Sequence, residues 1–141
     1  MSEALYTRDI LRLAASVPHL GPLAEPDGCA ERRSPACGSR MTVAVRIADG
    51  RVTALGQTVE ACAFGQASAA LMGDHAIGRE REDVADALTA LTAWLSGEAE
   101  NPGPWPGLAI LAPARPKTGR HGAILLPFRT FLAAIDDACG G

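Results

Sequence analysis

Among the four cysteines and three histidines of this 141-residue chain, spacing singles out Cys37, Cys62 and His121 as side chains fit for soft-metal or sulfur chemistry. Asp49-Gly50 is the dipeptide preferred in a two-residue type I′ turn, and it lies between the alternating segments 41–48 and 51–55. Those segments read as the two strands of a β-hairpin. If the pairing of Ala48 with Arg51 continues unbroken, Cys37 comes to face Cys62, with Cα atoms about 4.5 to 5.5 Å apart. Two thiols at that spacing make half of a soft-metal site, or a disulfide.

Cys62 falls at or just before the start of a helix, where unpaired N–H groups and the helix dipole favour an anionic sulfur ligand. Cys37 sits in Ser34-Pro35-Ala36-Cys37-Gly38-Ser39, where Gly38 permits a backbone conformation that could aim the sulfur inward. His121 opens the last helix, and a Cys, Cys, His set has the softness suited to zinc or iron. Each residue also has a plainer reading. The cysteines could be small buried hydrophobes, and His121 a solvated residue at a helix start among basic neighbours. Cys29 and Cys139 read as bystanders, and His19 and His75 as surface or satisfied core residues. Arg115, Lys117 and Arg120 read first as a solvated basic face, and second as a docking surface.

The elements that must position these groups follow from hydrophobic spacing. Residues 2–17 read as a first helix, ended by Pro18 and Gly21. An irregular connection over 19–35 has room for a short edge strand around 30–33. In the hairpin Met41, Val43, Val45 and Ile47 share a face with Val52 and Ala54, so one side of the sheet needs helices over it. A second helix starts near Ala61 or Cys62 and stops at Gly78; a third runs from Asp83 to Gly97 with Val84, Leu88, Leu91 and Leu95 at helical spacing. Residues 101–107, rich in proline and glycine, form a surface loop. The final helix carries Ile124, Phe128, Phe131 and Ile135, with Pro127 predicting either a kink or a helix that begins only a turn earlier. The helix starts near Cys62 and His121 then converge where the hairpin opens.

Length and composition predict one domain over residues 1–141, with 48% hydrophobic residues to fill its core. A net charge of −3 disfavours nucleic acid and anionic lipid as partners. No apolar run is long enough to span a bilayer, and charges among the first twenty residues leave no signal-type apolar core. The expected compartment is the cytoplasm, where reduced thiols favour metal or sulfur chemistry over a structural disulfide.

Three stretches carry a family resemblance: Pro35-Ala36-Cys37-Gly38-Ser39-Arg40, Cys62-Ala63-Phe64-Gly65-Gln66-Ala67-Ser68, and Arg120-His121-Gly122-Ala123-Ile124-Leu125-Leu126-Pro127. In order and context they resemble the U-type iron–sulfur scaffold family, which comprises IscU, the amino-terminal domain of NifU, and SufU. The segment between Cys62 and the last helix is similar in length to that of the SufU branch. The resemblance implies an α+β fold, a three-stranded antiparallel sheet with a central hairpin covered by helices. It implies an assembly platform rather than a turnover enzyme, which accepts sulfur from a cysteine desulfurase, holds iron or an iron–sulfur cluster transiently, and serves apo iron–sulfur recipient proteins. The alternatives are zinc binding with sulfur transfer, as in SufU-type members, and a metal-free adaptor of the desulfurase.

The chain departs from that family twice. Ser39 stands where an acidic residue is usual, and Gly122 where a third cysteine is usual. A neutral hydroxyl is a poorer ligand than a carboxylate, and glycine offers none. Carried over residue by residue, the set is Cys37, Cys62 and His121, with Ser39 beside them and one position open.

Overall fold

The turn at Asp49-Gly50 forms as its residues demand, with φ of 53° and 75°, the two positive angles a type I′ turn requires. The computed structural model describes residues 7–35 and 38–140. Three antiparallel strands, β1 (Gly28–Arg33), β2 (Arg40–Ala48) and β3 (Arg51–Glu60), lie in the order β1-β2-β3. The expected edge strand exists and begins two residues earlier than its composition suggested. The fold is α+β, as expected.

The hairpin register changes partway along. Ile47 faces Val52, but Arg46 faces Ala54, so Thr53 is an extra residue on β3 and a β-bulge interrupts the ladder. Two expectations change with it. Beyond the bulge Val45 faces Leu55, and Met41 faces Val59, so Leu55 takes the buried place expected of Ala54. The strand ends at Arg40 opposite Glu60, one residue out of the register that the turn alone sets, and Cys37, expected to face Cys62, lies outside the described residues. A one-residue slip reverses which face every later side chain occupies, and no sequence rule announced this one.

Among the described residues the helices are α1 (Arg8–Ala14), α2 (Ala63–Asp74), α3 (Arg81–Leu95) and α4 (His121–Gly140), with 3-10 turns over Leu108–Ala114 and Thr118–Arg120. Helix α4 lies on β1 and β2 and also packs on α2 and α3. Its Ile124, Phe128, Phe131 and Ile135 are all buried, as the spacing predicted. The helix is continuous through Pro127. Proline leaves the Ala123 carbonyl without its usual donor, and the carbonyl of Ile124 accepts the Ser68 hydroxyl at 2.6 Å, tying α4 to α2.

Two helices are shorter than their periodicity suggested. Thr7 caps α1 by accepting from Ile10 N–H, and that helix ends at Ala14; residues 2–6 lie outside the described residues. Helix α2 ends at Asp74 instead of continuing to Gly78, because Gly78 N–H donates to the Val52 carbonyl at 2.7 Å and Val52 N–H to the Arg79 carbonyl at 2.9 Å. Strand pairing claims the backbone that the helix would have used. The 101–107 loop is irregular as expected, yet Trp105 turns inward, donates to the Leu71 carbonyl at 2.9 Å and meets Phe128 edge-on at 5.2 Å. Arg115 also departs from the solvated reading. Its guanidinium lies over Trp94 and donates to the carbonyls of Trp94 and Ala99.

Arg81 at the start of α3 bonds Asp136 of α4, and that hydrogen bond holds the Asp136 carboxyl below the usual carboxylate range. A depressed folded-state pKa adds stability that is complete above the unfolded-state value and is lost as pH falls through the folded one. Asp136→Asn is therefore expected to lower the melting temperature slightly at neutral pH. The deficit should disappear on acidification through the carboxylate range, as thermal unfolding followed by circular dichroism will show.

Candidate functional site

The end of the sheet where β1 and β2 are joined is built from short backbone contacts. Ser34 N–H donates to the Ser39 carbonyl at 2.9 Å, and Gly38 N–H to the Ser34 carbonyl at 3.0 Å, so the chain closes tightly on either side of residues 36 and 37. Ser34 and Ser39 are both buried. Cys37 lies outside the described residues, and its chain neighbour Gly38, with φ of 72°, is the nearest described point. The Arg40–Glu60 ion pair bridges β2 and β3 at this end.

Cys62 occupies the N-cap position of α2, with extended backbone and no side-chain capping bond. Its carbonyl accepts the first helical bond from Gln66 N–H at 2.9 Å. Cys62 is half-buried, is in no disulfide and packs against the hydrophobic core. A sulfur at this place stands at the positive end of the α2 dipole, where anionic ligands are stabilised.

His121 is the first residue of α4. Its Nε2 is 3.0 Å from the Ala114 carbonyl and 2.9 Å from the Arg115 carbonyl. Carbonyl oxygens only accept, so Nε2 carries the proton and Nδ1 keeps the lone pair in the neutral ring. Ligating histidines are commonly held this way, with one nitrogen donating to a backbone carbonyl while the other faces the metal. The 3-10 segment over Leu108–Ala114, with the residue after it, thus supplies the orienting acceptors. That role was not foreseen from the sequence, because the carbonyls of residues 114 and 115 belong to a turn with no side-chain signature.

The helix starts do converge. A Cβ on Gly65 would sit 3.2 Å from the Cβ of Ala123, so the first turns of α2 and α4 touch through a glycine. A Cβ on Gly122 would sit 2.4 Å from Ser34 Oγ. The start of α4 therefore abuts the residue that opens the Cys37 loop, and the start of α2 abuts α4. Ser39, on the far side of that loop, is held through its backbone. Among the described residues no three His, Cys, Asp or Glu side chains form a metal-binding group, and Cys37 is not among them. Cys29 and Cys139 are exposed.

Comparison with known proteins agrees with this architecture. The family model described as the NifU-like N-terminal domain matches residues 5–97, which include Cys37, Ser39 and Cys62. The chain is similar to the N-terminal part of a nitrogen-fixing NifU-like protein from Brucella abortus, at 33% identity over 96% of this chain and 95% of that one, with a TM-score of 0.87. It shares its fold with a protein named as a candidate iron–sulfur cluster assembly scaffold for the SUF system, FiSufU from the thermophile Fervidobacterium islandicum AW-1. That likeness has 18% identity over 93% of this chain and 96% of that one, and a TM-score of 0.83. No curated protein matches the chain. The fold and the motif positions define a U-type scaffold domain, and the chain belongs to the NifU-like N-terminal domain family.

Proposed function

We propose that the chain is an iron–sulfur cluster assembly scaffold that takes iron and sulfide as cargo on Cys37, Cys62 and His121, with Ser39 at the edge of the set. The observation that supports this reading is the meeting of three segments in a family member: α2 touches α4 at Gly65 and Ala123, and α4 touches Ser34, where the Cys37 loop opens, at Gly122. Two thiolates and an imidazole suit iron, and fewer thiolates than a full set favour release. With no thiol at 122, Cys37 or Cys62 receives sulfur from a cysteine desulfurase: the thiolate attacks the outer sulfur of the donor persulfide and the donor thiolate leaves. An external two-electron donor, such as a reduced iron–sulfur electron carrier, cleaves that persulfide to sulfide and regenerates the thiolate as iron binds, and the cluster then passes to apo recipient proteins in the cytoplasm. One domain over residues 1–141 carries these steps. Among the described residues no helix is long and apolar enough to cross a membrane.

Anaerobic reconstitution with ferrous iron and sulfide is the test. Wild type should develop visible absorption of a cluster, and Cys62→Ala should lose at least nine-tenths of it while keeping its far-ultraviolet circular dichroism. Absence of any band in wild type, or an undiminished band in Cys62→Ala, overturns the reading. Stoichiometric zinc in protein purified without added metal would favour sulfur transfer of the SufU type instead.

A further inference from the structure

On the side of α4 facing α3 and the end of β1 lies a groove of about 350 Å³. Its apolar wall is Leu88 of α3 with Leu126, Leu132 and Ala133 of α4, and its rim carries Arg32, Arg33 and Arg129. Three guanidiniums around one groove are notable in a chain whose net charge is −3. Asp136, the acid on the lining among the described residues, is already bonded to Arg81. Among the described residues Arg33 and Arg129 have no ion pair, and Arg32 donates only to the neighbouring Glu31 carbonyl at 2.8 Å. Among the described residues no carboxylate therefore pairs with these three guanidiniums.

We propose that this groove docks an acidic amphipathic segment of a partner protein, with apolar side chains against Leu88, Leu126 and Leu132 and carboxylates on the three arginines. Its shape argues for a segment over a point anion, since ten residues of α4 separate Leu126 from Asp136, roughly 15 Å of helix. Planar guanidiniums bind carboxylates through paired N–H bonds, and the apolar wall adds burial that a free ion cannot use. Ser34 closes one end of the groove and also touches Gly122, so an occupant would lie beside the start of α4. The groove would dock such a segment whether or not the chain carries a cluster.

The probe is a twelve-residue fluorescein-labelled amphipathic peptide of leucine and glutamate, titrated with the full chain and read by fluorescence anisotropy. Saturable binding that weakens at least ten-fold with added salt or in Arg33→Glu/Arg129→Glu, and that persists in Lys117→Glu, supports the proposal. Should the double variant melt earlier than wild type, Arg33→Gln/Arg129→Gln replaces it with the same expectation. Any of three results overturns it: no saturable binding to wild type; equal binding by a leucine–lysine peptide; or binding to phosphatidylglycerol vesicles that the acidic peptide does not compete away.

Discussion

Gly28→Ala is expected to destabilise the chain by about 3 kcal/mol or more, near the upper end of what overpacking a core usually costs. The added methyl would stand 2.4 Å from the Ala134 carbonyl oxygen, 2.5 Å from Ala138 N and 2.7 Å from Ala138 Cβ. Two of those three atoms are helix backbone, which cannot rotate aside. Helix α4 must then lift from β1, loosening Phe131 and Ile135 beneath it and straining the bond from Cys29 N–H to Asp137 Oδ2 at 3.0 Å. For a domain of this size each kcal/mol shifts the melting temperature by roughly 2 to 4 °C, so a fall of about 6 to 12 °C should appear in thermal unfolding. Gly119→Ala is the control, since a Cβ there meets nothing within 4 Å. A fall of less than 2 °C in Gly28→Ala would show that α4 is not seated on β1 as described.

The second large effect concerns Gly122 and Ser34 together. Gly122→Cys alone places a Cβ 2.4 Å from Ser34 Oγ, and Ser34 is buried, so the hydroxyl must find another rotamer or the start of α4 must shift. Ser34→Ala removes the obstructing oxygen. The double variant should therefore be more stable than the sum of the single effects predicts, with a coupling of about 1 to 2 kcal/mol in a double-mutant cycle. If the proposed cargo site is correct, the double variant also gains a third thiolate beside Cys62 and His121. Its reconstituted cluster should then survive chelator challenge at least ten times longer than that of wild type. Unchanged cluster lifetime with restored stability would separate the packing claim, which would stand, from the ligand claim, which would fall. The pair also offers a packing reason for glycine at 122: Ser34 occupies the space a larger side chain needs.

Much of the fold was legible in the residues. Asp49-Gly50 dictated its turn because both central residues must adopt positive φ. The helical spacing of residues 124, 128, 131 and 135 marked the buried face of α4, and all four are inside. Helix ends were read less well. The end of α2 depended on the hydrogen bonds that Val52 accepts from Gly78 N–H and donates to the Arg79 carbonyl, and periodicity carries no record of such distant partners. Trp105 sat in a stretch whose prolines and glycines correctly forbade regular structure, yet composition could not say that its ring would fill space beside Phe128.

The site divides the same way. Sequence by itself determined which groups can bind a soft cation, that Cys62 opens a helix and His121 opens another, and which family the motifs resemble, because residue chemistry and local capping are properties of short segments. Tertiary structure alone decided the rest. The Thr53 bulge shifted the hairpin register by one residue, two turn carbonyls fixed the proton of His121 on Nε2, and Gly65 and Gly122 let α2, α4 and the residue that opens the Cys37 loop close on one another. Each of these is a contact between segments far apart in the chain, settled by how helices and strands pack rather than by the preferences of any residue alone.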